Sequence, residues 1–287
     1  MKKICLLFLT VLSILLSSCR QDTTQLAKDE FSKYYNGKDE VALIHNCIIC
    51  FENHTLDLDS LVEDNDFNLG LTINRDGFVF STSEQISLST FAFNIYESNF
   101  QGTDIKLLYS KDGFKTHPWA YAIDGVFYIE HYSNNAFDLE SKLIDKYTIS
   151  TGIYENIASG KDCYLSDYKR EEEQTRYSVE VIENISPQEH GKFIITDLES
   201  GIVRTIDDAF LKDTIYIESM EKFNYSPMRV DISNGHILLT YSIGAGDGWN
   251  NPHLIFEYDF DLNTIEYKLL AFPDESNSYI IDIVYIG

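Results

Sequence analysis

An all-β fold of propeller type, with about five or six four-stranded blades, is what this sequence predicts, and three observations predict it. Five segments share one pattern: apolar alternation, a polar turn carrying Gly or Asn, then alternation again. They are Leu71–Phe80, Leu107–Phe114, Tyr147–Tyr154, Ile194–Val203 and Phe256–Tyr267, turning at Gly77, Gly113, Gly152, Gly201 and Asn263. Gly and Asn suit these places because hairpin turns need residues that tolerate positive φ. The turns lie 36, 39, 49 and 62 positions apart. A blade takes roughly 40–50 residues, so the last interval needs an insertion. The second observation is composition: 19 Tyr and 18 Phe favour strands over helices. The third is that no stretch after the N-terminal leader keeps a helical period. Another antiparallel fold of the sandwich type is the alternative.

The first residues stand apart from the fold. Lys2 and Lys3 precede an apolar run, Ile4–Leu16. A membrane span needs about 20 such residues, so this run reads as a signal peptide over residues 1–18. Leu16-Ser17-Ser18-Cys19 resembles the lipobox of bacterial lipoproteins. The resemblance implies cleavage before Cys19, a lipid on its thiol, and residence in the cell envelope, at the outer membrane. Several acyl chains on one residue anchor firmly. Residues 19–40 are polar and read as a tether, with Tyr34-Tyr35 docking it onto the first blade. A single propeller-like domain is expected from 41 to 287.

Val41–Phe51 is a dense β-like run bounded by charge and Asn, as a buried strand should be. It carries His45, Cys47 and Cys50, with His54 just beyond. A structural zinc site needs four convergent ligands. On a strand Cys47 and Cys50 point to opposite faces, which disfavours chelation and a disulfide. They read as buried structural thiols, with no metal and no cofactor expected. With Cys163 they make three, so one stays unpaired whatever the redox state.

Leu71–Phe80 and Ser87–Tyr96 follow as strands. Ser110-Lys111-Asp112-Gly113-Phe114-Lys115-Thr116, with Trp119 beyond, resembles the Asp-box of sialidase-type propellers. Phe114 stands where the common form has a second Gly, and His117 and Pro118 displace the Trp. The resemblance implies a structural turn built from Ser110, Asp112, Gly113 and Thr116. It implies a blade and not an activity. Trp119–His131 gives a hairpin about Asp124-Gly125. Lys161–Gln174 ends in a charge run and reads as a solvated loop or a short exposed helix. Tyr177–Ile185, Phe193–Ile206 and Thr214–Ser219 are further strands. His236–Ile243 runs into the loop Gly244–His253 and then the strand Leu254–Tyr258. Tyr279–Ile286 is a closing strand, and Val41–Phe51 is its natural partner.

The formal net charge is −24, and loss of Lys2 and Lys3 makes it more negative. That disfavours nucleic acid, whose binding depends on neutralising phosphates. Asp259-x-Asp261-x-Asn263 opens like a calcium loop but lacks the later Gly and bidentate Glu, so it reads as a hairpin turn. Asp247, Trp249, Asn250, Asn251 and His253 form the most unusual loop. An indole flanked by carboxylate and amides suits a sugar ring. Trp119 and Tyr121 could supply a second platform. No phosphate loop, nucleophile elbow or His-Glu-x-x-His motif is present. The six arginines are scattered, against the clustered set of a sialidase. The expectation is a non-catalytic binding or scaffold lipoprotein with a glycan or an envelope protein as partner. The alternatives are a propeller-type glycoside hydrolase or lyase, which needs two set carboxylates, and a docking component of an envelope assembly.

Overall fold

Period-two alternation dominates the chain, and antiparallel sheets answer it. The computed structural model describes residues 23–45, 47–62, 66–74, 76–123, 125–134, 138–165, 176–184, 189–244, 252–272 and 280–287. Among them lie five sheets, four of four strands and one of three. The first holds β1 (Val41–His45), β2 (Ile48–Cys50) and β3 (Thr55–Asp57), with β19 (Ile280–Tyr285) against β1. The short helix α2 (Leu58–Leu61) follows β3. The second is β4 (Asp66–Asn74), β5 (Gly77–Ser87), β6 (Thr90–Asn99) and β7 (Ile105–Phe114). The third is β8 (Trp119–Ile123), β9 (Val126–Tyr132), β10 (Lys142–Thr148) and β11 (Ile153–Ser159). The fourth is β12 (Tyr177–Ile182), β13 (Lys192–Asp197) and β14 (Val203–Ile206). The fifth is β15 (Tyr225–Ser233), β16 (His236–Ile243), β17 (His253–Asp259) and β18 (Thr264–Ala271). The fold is all-β, a succession of antiparallel meanders of propeller-blade type. The last strand of the chain completes the first sheet, from Val41 opposite Tyr285 to His45 opposite Ile280.

The chain gathers into two compact units. One holds the first three sheets, with Glu40–Thr175 and Tyr279–Gly287. Its core joins Phe93 and Ile95 of β6 to Phe127 and Ile129 of β9. A second cluster joins Ala42 and Ile49 of the first sheet to Phe78 and Phe80 of β5. The other unit takes in residues up to Asp39 and Arg176–Ser278. Its core joins Phe193 and Ile195 of β13 to Leu239, Tyr241, Leu254 and Phe256 of the fifth sheet.

Several expectations are corrected. Val41–Phe51 is a hairpin with Cys47 in its turn, not one strand. From Thr23 onward the expected tether is structured: α1 (Thr23–Phe31) runs into a 3-10 turn, Ser32–Tyr34. Ala27 and Phe31 are fully buried, and Phe31 stacks on Tyr267 of β18 at 6.1 Å. Tyr34 meets Tyr216 edge-on at 4.9 Å, so the docking is onto the fifth-sheet unit rather than the first blade. Residues read as the strand Thr214–Ser219 enter a helix instead. Asp207 caps α3 (Asp208–Leu211), accepting from the Phe210 amide, and α4 (Ile217–Glu221) buries Ile217 and Met220. The Asp-box-like hairpin is absent: Ser110, Asp112 and Gly113 lie inside β7. Phe91 faces Phe114 and Phe93 faces Lys111, so two residues of β7 oppose Ala92 alone. This is a β-bulge, and Gly113 supplies its φ of +90°. Thr116 sits in the link to β8, its hydroxyl accepting from the Tyr132 amide at 3.3 Å. Gly152, Gly201 and Asn263 each join the last two strands of a sheet, whereas Gly77 opens β5. The true repeat therefore runs through the later three turns.

Candidate functional site

The hairpin β8–β9 has a two-residue turn, and that fixes its register. Trp119 faces Glu130, Ala120 faces Ile129, Tyr121 faces Tyr128, and Ala122 faces Phe127. Directly paired side chains share a face. One face therefore carries Trp119, Tyr121, Tyr128 and Glu130. The other carries Ala120, Ala122, Phe127 and Ile129 into the core. Ala120 is small because β4 passes close by. A Cβ on Gly70 would stand 2.9 Å from both Ala120 Cβ and Phe127 Cε1. The bulk of β8 is thus displaced to its outer face. Trp119 is 48% exposed, and Tyr121, Tyr128 and Glu130 are half-buried. Lys146 of β10 lies opposite Tyr128, its Nζ 3.3 Å from Glu155. His117 lies 5.1 Å from the indole and bonds through Nε2 to the Ser83 hydroxyl. Phe91 meets His117 edge-on at 5.8 Å. The result is an aromatic platform with a carboxylate and an ammonium beside it.

A buried polar cluster joins β7 to β9, β10 and β11. Asp145, 3% exposed, accepts from His131 Nε2 at 2.7 Å, from Asn156 Nδ2 at 2.8 Å and from the Tyr154 hydroxyl. Lys111 Nζ lies 3.7 Å from the same carboxylate and 3.7 Å over the Tyr154 ring. Burial alone would raise the Asp145 pKa, but the His131, Tyr154 and Asn156 bonds outweigh it and hold it at about 2. Burial pushes Tyr109 up to about 12, and it raises Tyr154 with the help of the Asp145 bond. A carboxylate satisfied by this many donors fixes packing and is not poised to accept a substrate proton.

A shallow cleft of about 180 Å³ opens where the β4–β5 and β6–β7 turns end the second sheet. Asn74, Asp76, Glu97, Asn99, Asp104 and Lys106 line it, with Lys106 and Glu97 paired at 4.0 Å.

Of the residues singled out in the sequence, Asp247, Trp249, Asn250 and Asn251 lie outside the described residues, as does Cys19. His253 is corrected: it opens β17, opposite Ser242 and Ala271, and is 3% exposed, which takes it off the expected binding loop. Trp119 and Tyr121 do come together. Sequence reading missed Tyr128 and Glu130, although the Asp124-Gly125 turn held the signal for both. Asp259 forms the expected hairpin turn, accepting from the Leu262 amide at 2.8 Å, and Asn263 takes φ 56°. Cys47, Cys50 and Cys163 are free thiols. Burial raises both Cys47 and Cys50 to about 11, and Asp59 adds to the effect at Cys47. Where no metal ligands were expected, Cys47 meets Asp57 and Asp59, the donor atoms all within 4.8 Å of one another.

No family model and no curated protein matches the chain. Among solved structures it is similar to two mutants of Synechocystis apocarotenoid oxygenase. One has 11% identity and a TM-score of 0.28, covering 81% of this chain and 57% of that one. The other has 10% identity and a TM-score of 0.31, covering 85% and 71%. A GH43 endo-arabinanase from Bacillus licheniformis has 9% identity and a TM-score of 0.26, covering 75% and 82%. The chain thus spans less than two thirds of the first of these proteins. Likenesses at this level say nothing of function.

Proposed function

We propose that this chain is a lipid-anchored binding module of the cell envelope that holds a carbohydrate-type ligand on the outer face of β8 and β9. The observation that carries the reading is Trp119, exposed at 48% at the head of a row with Tyr121, Tyr128 and Glu130. An indole left this open, beside two more aromatic rings, supplies π-faces for the C–H groups of a sugar. Glu130 and Lys146 stand where hydroxyls need an acceptor and a donor. Binding is favoured over turnover because Asp145, the buried acid of this sheet, lies opposite Ile129 on the core face and has its oxygens occupied by His131, Tyr154 and Asn156. The anchor rests on Leu16-Ser17-Ser18-Cys19 behind a short apolar run. The net charge of −24 keeps such a domain soluble and self-repelling at a crowded surface.

Two experiments test the reading. The full chain carrying Cys19→Ser is screened on a glycan array beside the same chain with Trp119→Ala. Loss of binding with unchanged circular dichroism supports the β8–β9 face, and equal binding by both removes it. A folded parent that binds no glycan moves the partner to protein. For the anchor, the parent expressed in bacteria should fractionate with membranes and take up labelled fatty acid, and Cys19→Ser should do neither. A parent that stays unlabelled overturns the lipid.

A further inference from the structure

A site of different chemistry is built at the first sheet. The register of β2 on β3 places Ile48 opposite Asp57. That brings Cys47, one residue before β2, to Leu58, one residue after β3, and the Leu58 amide donates to the Cys47 carbonyl at 2.7 Å. The turn ahead of β2 and the start of α2 are thus held together by backbone. Asp57 is the cap of α2, its Oδ1 accepting from the Asp59 amide at 3.1 Å, which fixes the Asp57 carboxylate at the start of the helix. The Cys47 sulfur and one oxygen from each of Asp57 and Asp59 lie within 4.8 Å of one another. Cys47 is half-buried while both aspartates are exposed, so the sulfur forms the floor and the carboxylates the open rim.

We propose that Cys47, Asp57 and Asp59 form a binding site for a thiophilic divalent cation, Zn²⁺ in the first instance. Three donors of mixed type, from two chain segments, lie within 4.8 Å of one another, the number an open zinc site takes from the protein. Zinc takes sulfur at about 2.3 Å and carboxylate oxygen at about 2.0–2.2 Å, and a site with three protein ligands leaves one position for water or an outside donor. The sulfur also sets selectivity: thiolate favours zinc over magnesium and calcium, which prefer all-oxygen shells. Without a cation, burial first and the Asp59 and Asp57 carboxylates after it oppose thiolate formation at Cys47. Zinc binding breaks the S–H bond, releases that proton to solvent, and puts the divalent charge against thiolate and two carboxylates. No electron moves, and no further reactant is needed.

Cobalt(II) makes the test direct, because its thiolate charge-transfer band in the near ultraviolet reports a sulfur ligand and is blind to histidine or carboxylate. The full chain carrying Cys5→Ser and Cys19→Ser keeps Cys47, Cys50 and Cys163 as its thiols. Titrated with Co²⁺, it should develop the band to one equivalent, and Zn²⁺ should abolish it. Adding Cys47→Ser should remove the band with the far-ultraviolet spectrum unchanged. Asp59→Asn should weaken binding at least tenfold, and Cys163→Ser should leave it intact. No band in the parent overturns the site, as does a band that survives Cys47→Ser or disappears with Cys163→Ser.

Discussion

Asp145 is a carboxylate set in an apolar core, and its worth depends on the donors around it. Removing one partner of a buried charged network typically costs about 3–5 kcal/mol, because the remaining polar groups stay buried and unmatched. Asp145→Asn keeps the shape but loses the charge that His131, Tyr154 and Lys111 face. The pH dependence gives a sharper test. The folded pKa is about 2, below the unfolded value of about 3.9. The stability this depression contributes is present above pH ~4 and is lost as pH falls toward ~2, amounting to roughly 2–3 kcal/mol. Urea unfolding between pH 2 and 7 should therefore show a steeper acid loss in the parent than in Asp145→Asn, the two curves converging at the acid end. Parallel curves would mean that the carboxylate is not held low. Trp119 marks the opposite case. Its exposure means that Trp119→Ala should change stability by less than about 1 kcal/mol while abolishing ligand binding.

Among elements, α1 shows how packing decides what local sequence cannot. A helix of nine residues is too short to hold itself in water. Ala27 and Phe31, one turn apart and fully buried, anchor it, and Glu30 accepts from Ser219 and Lys222, each at 2.6 Å. Phe31→Ala should cost about 3–5 kcal/mol and free the segment before the rest unfolds. Limited proteolysis should then cut between Thr23 and Asp39 at temperatures where the parent resists. Cutting at the parent's rate would sink the idea that α1 is docked through Phe31. The helix was not legible because, among its described side chains, Ala27 and Phe31 form a single buried i,i+4 pair. The Ile215-Tyr216-Ile217 stretch reads as strand by side-chain type, yet Ile215 and Tyr216 lie in a turn and Ile217 opens α4, which buries Ile217 and Met220. Gly113 was misplaced for a related reason, since a positive φ serves a turn and a bulge equally. Local features were legible: the Asp124-Gly125 hairpin, the Asp259–Asn263 turn, and through them the pairing that builds half the candidate binding face. The approach of Cys47 to Asp57 and Asp59 was not, because it depends on the β2–β3 register.

At the scale of the whole molecule, the chain's first and last strands share a sheet. β1 is buried at all five positions and lies between β19 and β2. An apolar strand of this kind cannot be left as an open edge without inviting other chains to pair with it. A chain stopped at Ser278 should therefore aggregate, even though it retains four sheets and most of the first. Added peptide Tyr279–Gly287 should restore a monomer by size exclusion. The order of events can be read from kinetics. Pairing β1 with β19 closes nearly the whole sequence into one loop, which is entropically the latest contact to make. Ile283, 1% exposed and facing Leu43, is the probe. Ile283→Ala should destabilise by about 2–5 kcal/mol, and the loss should fall almost wholly on the unfolding rate, because late contacts are absent from the folding transition state. Stopped-flow folding and unfolding across a urea series separates the two limbs. A variant that refolds more slowly in proportion to its lost stability would show that closure belongs to the nucleus, and that the terminal strands meet before the intervening sheets are built.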